Sequence, residues 1–230
     1  MIHYDFSLLT APPKDKGGSG QEWLDARRGR ITASKRAHMI LTSRKHTLNT
    51  MMDQMAEELT VSAEDGYSGR HTQHGHDFEP QALLEYEMMR LSSGDIVGSP
   101  GMVIHPEFDI ASSSPDFFEG SDITGQIKCP SKEKNHNLIV HWGMRRAEAK
   151  YYTQVQFESF TSGRDRIMFV SYHPDVAPTN QVYIEEVKKD NEMHDQFYAK
   201  LTEISWMLVN DERYAEEKNE LGVDSIPLIF

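Results

Sequence analysis

The chain has a single cysteine in 230 residues, Cys129, which excludes an internal disulfide framework and a cysteine zinc cluster and fits a reducing cytoplasm. No run of about eighteen apolar residues occurs and no charged-then-apolar leader opens the sequence, so neither a membrane span nor a signal peptide is expected. Basic residues are the other shortage. With 36 acidic against 24 basic side chains the net charge is -12, so the chain as a whole carries no footprint of a nucleic-acid binder and any basic surface has to be local. Internal repeats are missing too, and the length suits one sizeable domain over residues 1–230.

What is present falls into an order of helices, a strand cluster, then helix, strand, strand and helix. Residues 1–20 read as an N-terminal loop, with the prolines and glycines of Thr10 to Gly20 marking it. A helical part over 21–95 begins near Gln21, breaks at Gly29-Arg30-Ile31, and resumes as a helix capped by Thr32 or Ser34 and running through Met39. Leu48 to Leu59 is a Met-rich helix; Ser62 to Arg70 is a loop. From Gln73 to Arg90, Phe78, Ala82, Tyr86 and Met89 recur at helical spacing and form a core stripe with Glu79 at its edge.

Residues 96–230 carry the strands and a closing helix. Met102 to His105 reads as a strand, and Lys132 to Trp142 as a polar, helical connection. Lys150 to Ser162 reads as a helix with Tyr152, Val155 and Phe160 inward. Arg166 to Tyr172 is a near-continuous apolar run, the mark of a central strand. Val182 to Val187 is another strand, and a helix from about Asp190 buries Met193, Phe197, Leu201, Ile204 and Leu208. The expected fold class is α/β, a central mixed sheet flanked by helices.

The stretch from Ser114 to Pro130 reads as two strands joined at Glu119-Gly120-Ser121-Asp122. Alternation sets Ser112, Ser114 and Asp116 on one face of the first strand, and Gln126 and Lys128 on one face of the second, with Ile123, Ile127 and Cys129 pointing to the core. If the strands pair, Asp116, Gln126 and Lys128 converge, with Glu79 supplied by the preceding helix. Hard divalent ions take carboxylates and backbone carbonyls of this kind, here that of Ile127, and a lysine beside them offsets phosphate charge. Gln126 is the unsuitable member, since an amide is a poorer ligand than a carboxylate.

Ser114-Pro115-Asp116 followed by Gly125-Gln126-Ile127-Lys128-Cys129-Pro130 resembles the PD-(D/E)XK nuclease motif of lambda exonuclease and the YqaJ-type viral recombinases. Three further blocks match that group in order. Trp23, Arg27, Gly29 and Ile31-Thr32-Ala33-Ser34 are similar to its N-terminal arginine and Ile-Thr-Ala-Ser block. Gly75-His76-Asp77-Phe78-Glu79 is similar to its helical glutamate motif, and Gln154-Val155-Gln156-Phe157 to its glutamine helix.

The resemblance implies a restriction-endonuclease-like core and a processive 5'-to-3' exonuclease that acts on linear duplex DNA in phage-type recombination. It implies two magnesium ions, with manganese as a substitute, held by Asp116, position 126, the Ile127 carbonyl and Glu79, with Lys128 as the catalytic lysine. Arg27, Ser34 and Ser114 fall where that group binds the 5'-phosphate, Arg44 where it has a basic residue near the entering duplex, and Gln154, favoured over Gln156, where a glutamine faces the site. A homotrimeric ring around DNA, a single-strand annealing partner and a bacterial host cytoplasm follow from the same resemblance. Gln126 departs from it: the expectation is a Glu-to-Gln variant, inactive or weakened, with a natural degenerate nuclease as the rival.

Other signals carry less. His71, His74 and His76 match no standard zinc spacing. Cys129, on a core-facing strand position without a paired base, reads as a structural thiol. Met51, Met52 and Met55 read as core or an oligomer contact. Arg27, Arg28, Arg30, Lys35 and Arg36 read either as a solvated face or as an anion site. The apolar tail Ile226-Pro227-Leu228-Ile229-Phe230 hints at a subunit contact. A restriction-type endonuclease and a catalytically silent DNA-end binder are the rival functions.

Overall fold

The computed structural model describes residues 10–11, 25–60, 70–90, 95–98 and 100–210. Trp23, most of the 62–70 loop and the apolar tail lie outside the described residues. The described residues form two sheets. The smaller joins β1 (Thr10–Ala11), β2 (Ile31–Thr32), β4 (Met102–Ile104) and β5 (Ala111–Ser113) in the order β1-β4-β5-β2. The larger joins β3 (Ile96–Gly98), β6 (Phe117–Glu119), β7 (Ile123–Lys128), β8 (Arg166–Tyr172) and β9 (Val182–Lys188) in the order β3-β6-β7-β8-β9. It is a mixed sheet: β7 and β8 run parallel, from Ile123↔Arg166 to Lys128↔Ser171, while its other pairs are antiparallel.

Helices cover both faces of the larger sheet. On one face, Ala82 and Tyr86 of α3 (Arg70–Met89) pack with Phe117, Ile123, Ile127, Cys129, Met168 and Val170. On the other, Ile139 of α4 (Glu133–Trp142), Met144 of α5 (Met144–Ala147) and Val155 of α6 (Ala149–Ser162) pack on Ile167 and Phe169. This alternation is why β8 is buried at every position after Arg166. The far side of α6 meets α1 (Ala37–Thr42), α2 (Lys45–Thr60) and α7 (Asn191–Val209) in a third apolar cluster, where the Phe157 and Phe197 rings meet edge to face at 4.9 Å. Each such fully buried large side chain is worth roughly 1.5–3 kcal/mol of burial. Asp190 caps α7, its side chain accepting from Met193 N.

Two local expectations are corrected. Ser112, Ser114 and Asp116 do not share one strand face, because the strand ends at Ser113 and a new one starts at Phe117 in the other sheet. Pro115 lies between them, with no N–H to give to a ladder. Nor does a helix start at Thr32 or Ser34. Ile31 and Thr32 pair in parallel with Ala111 and Ser112, which suits two β-branched residues, and α1 begins only after Arg36, without a side-chain cap. Strands β1 and β3 are too short to read from periodicity.

Candidate active site

The β6–β7 hairpin builds the centre of the site. Gly120 turns the chain at φ 55, and Phe117↔Gly125, Phe118↔Thr124 and Glu119↔Ile123 set the register. Only glycine fits at 125: a Cβ there would lie 2.1 Å from the Phe117 ring. Asp116, one residue before β6, continues the ladder by donating its N–H to Gly125 O at 2.9 Å. Its carboxylate is thereby laid along the next two residues of β7. Oδ2 accepts the Ile127 N–H at 2.6 Å and also accepts from Gln126 Nε2. The same amide nitrogen donates to Ile127 O at 3.1 Å, so Gln126 holds an N–H group between two of the oxygens suited to a hard cation.

The next links come from α6. Gln154 Nε2 donates to Gln126 Oε1 at 2.6 Å and to Glu158 Oε1 at 2.8 Å. Residues four apart on a helix share a face, so one turn presents both side chains to β7. In this arrangement the Gln126 amide nitrogen faces Asp116 and its oxygen faces Gln154. Gln156, the alternative glutamine, instead donates to Lys188 O and accepts from Asp190 N. It joins α6 to the start of α7.

Glu158 was not foreseen from the sequence. It is 1% exposed, and its Oε2 has no hydrogen-bond partner among the described residues. Burial, and next the charge of Asp116, push its carboxyl well above the usual range, against the pull of Lys128 and Gln154. The signal available was an acid one helical turn after a glutamine already assigned to the site.

Lys128 ends β7, and Glu79 lies on α3. The Lys128 ammonium sits 5.5 Å from the centre of the Tyr151 ring on α6. Glu79 immediately precedes Pro80, which cannot donate to the helical ladder. Burial pushes the Cys129 thiol up to about 12, helped by Glu79 and Asp116 and opposed by Lys128. These three charges therefore surround a buried thiol that stays protonated, as its core-facing position suggests.

His74 leans on Phe78 and bonds the Cys129 carbonyl at 3.3 Å. Among the described residues no three His, Cys, Asp or Glu side chains converge on a point that holds an ion. The donor set fitting a hard dication is mixed: the Asp116 carboxylate, the Ile127 carbonyl, the Gln126 oxygen once its amide turns, and the uncommitted oxygen of Glu158.

A second group of residues is gathered by the parallel pairing of β2 and β5. Thr32 lies opposite Ser112, so Ser34 and Ser114, two residues on in each chain, emerge at the same end. Arg27 Nη2 is 3.5 Å from Ser34 Oγ. Burial lowers the Arg27 guanidinium to about 10, Glu58 opposing and Arg36 reinforcing the shift.

Its basic neighbours are structural. Arg28 donates to Glu58 O and Leu59 O at the end of α2, and Arg30 to Asp109 O. Lys35 and Arg36 both bond the Glu58 carboxylate. Burial raises Glu58, but the bonds and charges of Arg36 and Lys35 outweigh it and leave it below the usual range. The basic block is thus mainly an ion-pair clamp, with Arg27 directed at Ser34. Arg44 is exposed just before α2, outside the network around Asp116.

Comparison with known proteins bears on the fold and the family. The alkaline exonuclease of Laribacter hongkongensis superposes with a TM-score of 0.72 at 24% identity, over 88% of this chain and 99% of that one. Its complex with dAMP gives 0.71 at 24% identity, over 87% and 97%. A phage-related exonuclease from Haemophilus somnus gives 0.60 at 13% identity, over 84% and 96%. These likenesses establish the restriction-endonuclease-like fold. No curated protein matches the sequence. The YqaJ-like viral recombinase model matches residues 22–165, more than half of the chain and every block from Arg27 to Glu158, and the chain belongs to that family.

Proposed function

We propose that the chain is a metal-dependent exonuclease that degrades one strand of linear duplex DNA from its 5' end, leaving a 3' single strand for recombination. Family membership supports an exonuclease acting on DNA. The observation that carries the finer reading is the hydrogen-bonded run Asp116–Gln126–Gln154, with Lys128 and Glu79 beside it. Asp116, the Ile127 carbonyl, the Gln126 oxygen and Glu79 are the groups that would hold magnesium, or manganese in its place, two ions being the expectation. Bound there, a divalent ion would polarise the scissile phosphate and lower the pKa of the attacking water.

The chain's own residues do the rest. The Lys128 ammonium offsets phosphate charge and orients the attacking water. Arg27 presents a planar fork of donors to the terminal 5'-phosphate, with Ser34 and Ser114 as hydroxyl partners. Gln154 and Arg44 contact the DNA. Gln126 gives the strand one charge fewer than glutamate would, which weakens metal binding at that position. A homotrimeric ring around the duplex reconciles the net charge of -12 with DNA binding, because acidic surface then faces outward from a locally basic channel. An annealing protein would take up the exposed strand.

Digestion with magnesium of three substrates tests this: 5'-phosphorylated linear duplex, the same duplex with 5'-hydroxyl ends, and a closed circle. The expected result is mononucleotides from the phosphorylated duplex, slower release from the hydroxyl ends, and an intact circle. Cutting of the circle means an endonuclease. Tight end binding without cleavage, persisting in Gln126→Glu, means a silent end binder.

A further inference from the structure

The buried acid on α6 is the feature the family reading does not use. A carboxylate that is 1% exposed and leaves one oxygen unbonded is an expensive thing to keep inside a fold, because an unpaired charge or an unsatisfied polar atom costs stability there. Among the described residues no cation pairs with its carboxylate, which accepts a hydrogen bond from Gln154, the residue that holds Gln126. It also sits close enough to Asp116 and Lys128 to feel both charges, so it belongs to the same cluster rather than to the apolar layer behind it.

The strand, for its part, lacks the acid that the donor set calls for. Position 126 carries an amide whose N–H group is turned toward Asp116 and the Ile127 carbonyl. A strand position that carries an amide and a buried acid with no evident structural task are joined through a single glutamine. A structural role for Glu158 would call for a partner on Oε2, and none is found among the described residues.

We propose that Glu158 is the second acid of the metal site, the negative charge having moved from strand position 126 to helix position 158. On this view Gln126 is half of an exchange and leaves the site competent, with Asp116 and Glu158 as the carboxylates that bracket the ion and Gln154 as the hinge between them. The proposal rests on the nuclease reading above and names a ligand that reading does not contain.

The test is a charge swap in the full-length chain, comparing the native protein, Glu158→Gln, Gln126→Glu and the double variant Gln126→Glu/Glu158→Gln. Manganese affinity is measured by calorimetry without DNA, alongside digestion of 5'-phosphorylated duplex. The expected result is that Glu158→Gln weakens manganese binding by at least about tenfold and lowers digestion in parallel, while the double variant regains both to within a few-fold of native.

Unchanged manganese affinity in Glu158→Gln overturns the proposal. So does a loss that the double variant fails to recover, since Glu158 would then act through packing alone. If only Gln126→Glu binds metal and digests DNA, the exchange is wrong while the nuclease reading stands. If none of the four proteins does either, both fall together. Thermal melts of all four identify a variant that has lost its fold, and the double variant gives a second reading should Glu158→Gln alone unfold.

Discussion

Gln154 Nε2 is 2.6 Å from Gln126 Oε1, and this contact between a helix and a strand joins two halves of a site that the chain order keeps 28 residues apart. The same nitrogen reaches Glu158 Oε1, so one amide orients both neighbours. Gln154→Ala would leave two buried oxygens without their donor, at a cost of roughly 1–3 kcal/mol. Substitutions that support a metal site indirectly commonly lower metal affinity or activity about 10- to 100-fold. Gln154→Ala is therefore expected to lower digestion within that range while melting only a few degrees below native. Gln156→Ala, which removes the bonds to Lys188 O and Asp190 N, is expected to lower the melting temperature with a smaller effect on digestion per molecule folded. Rates and melts measured side by side separate the two.

Arg27 and Ser34 make a different kind of prediction, one of substrate preference. Arg27 is the basic residue of its block that is turned toward Ser34, while Arg28, Arg30, Lys35 and Arg36 hold carbonyls or Glu58. Arg27→Ala is expected to reduce the preference for 5'-phosphoryl over 5'-hydroxyl ends by about tenfold or more, roughly 1.4 kcal/mol of discrimination, and Arg27→Lys to keep only part of it, since an ammonium lacks the planar fork. The ratio of initial rates on the two ends is the measurement. A ratio unchanged in Arg27→Ala removes Arg27 from the phosphate pocket.

By contrast, Arg36 is 1% exposed and bonds Glu58 through both terminal nitrogens. Arg36→Ala would open a cavity and leave the partly exposed Glu58 to Lys35 and the Gly29 N–H, at a cost of roughly 1–3 kcal/mol. The loss should appear in denaturant midpoints rather than in the end-preference ratio.

The sequence made the long elements legible because their periods are strong. The apolar run at Arg166 to Tyr172 is β8, and the stripe Phe197, Leu201, Ile204, Leu208 is the buried side of α7. The hairpin bearing Asp116 and Gln126 was legible as well, through Gly120 and the alternation that follows it. The division of Ala111 to Glu119 between two sheets was not, since three-residue strands have no period to read and Pro115 shows only that something changes. The basic block around Arg27 stayed ambiguous for another reason: Glu58, the acid that Lys35 and Arg36 share, is 22 residues from Arg36, and the carbonyls held by Arg28 and Arg30 are also distant in the chain. Glu158 escaped notice because it lies between Phe157 and Phe160 on a core helix. Its link to the site exists only once α6 lies against β7.

Gly125 offers a test of packing directly beneath the site. A methyl group there would overlap the Phe117 ring, whose nearest atom is 2.1 Å from the Cβ position. Gly125→Ala is therefore expected to destabilise the fold by about 1–3 kcal/mol or more and to disturb Gln126 next to it. Phe117→Ala alone removes a fully buried ring and costs about 3–5 kcal/mol. In the double variant the two losses should sum to less than the separate values, because removing the ring makes room for the methyl. A coupling of about 0.5–3 kcal/mol in that direction is the expected result of the cycle. Strict additivity would mean that the ring swings aside freely in Gly125→Ala.

The pH profile of stability follows from His105 and His194, which flank Phe160. The His105 ring stacks on it at 4.5 Å, and His194 meets it edge-on at 5.5 Å. Burial, reinforced by His194, lowers His105 from 6.5 to about 4. Burial and then Lys189 lower His194 from 6.5 to about 4 as well. In each case the unfolded chain binds a proton at a higher pH than the folded one. Stability is therefore full above about pH 6.5 and is lost as the pH falls toward 4, by up to roughly 3 kcal/mol for each histidine. Glu158 has the opposite sign. Its carboxyl is raised in the fold, so its contribution is greatest below the usual carboxylate range and is lost as the pH rises through the folded value. Melting temperatures measured across pH 4 to 9 should then fall steeply on the acid side, and His194→Phe, which keeps an apolar ring against Phe160, should flatten that limb by about half. Glu158→Gln should steepen the acid limb above about pH 4.5, where the native carboxyl opposes it, and raise the melting temperature on the alkaline side. An acid limb insensitive to His194→Phe would place the titrating groups elsewhere.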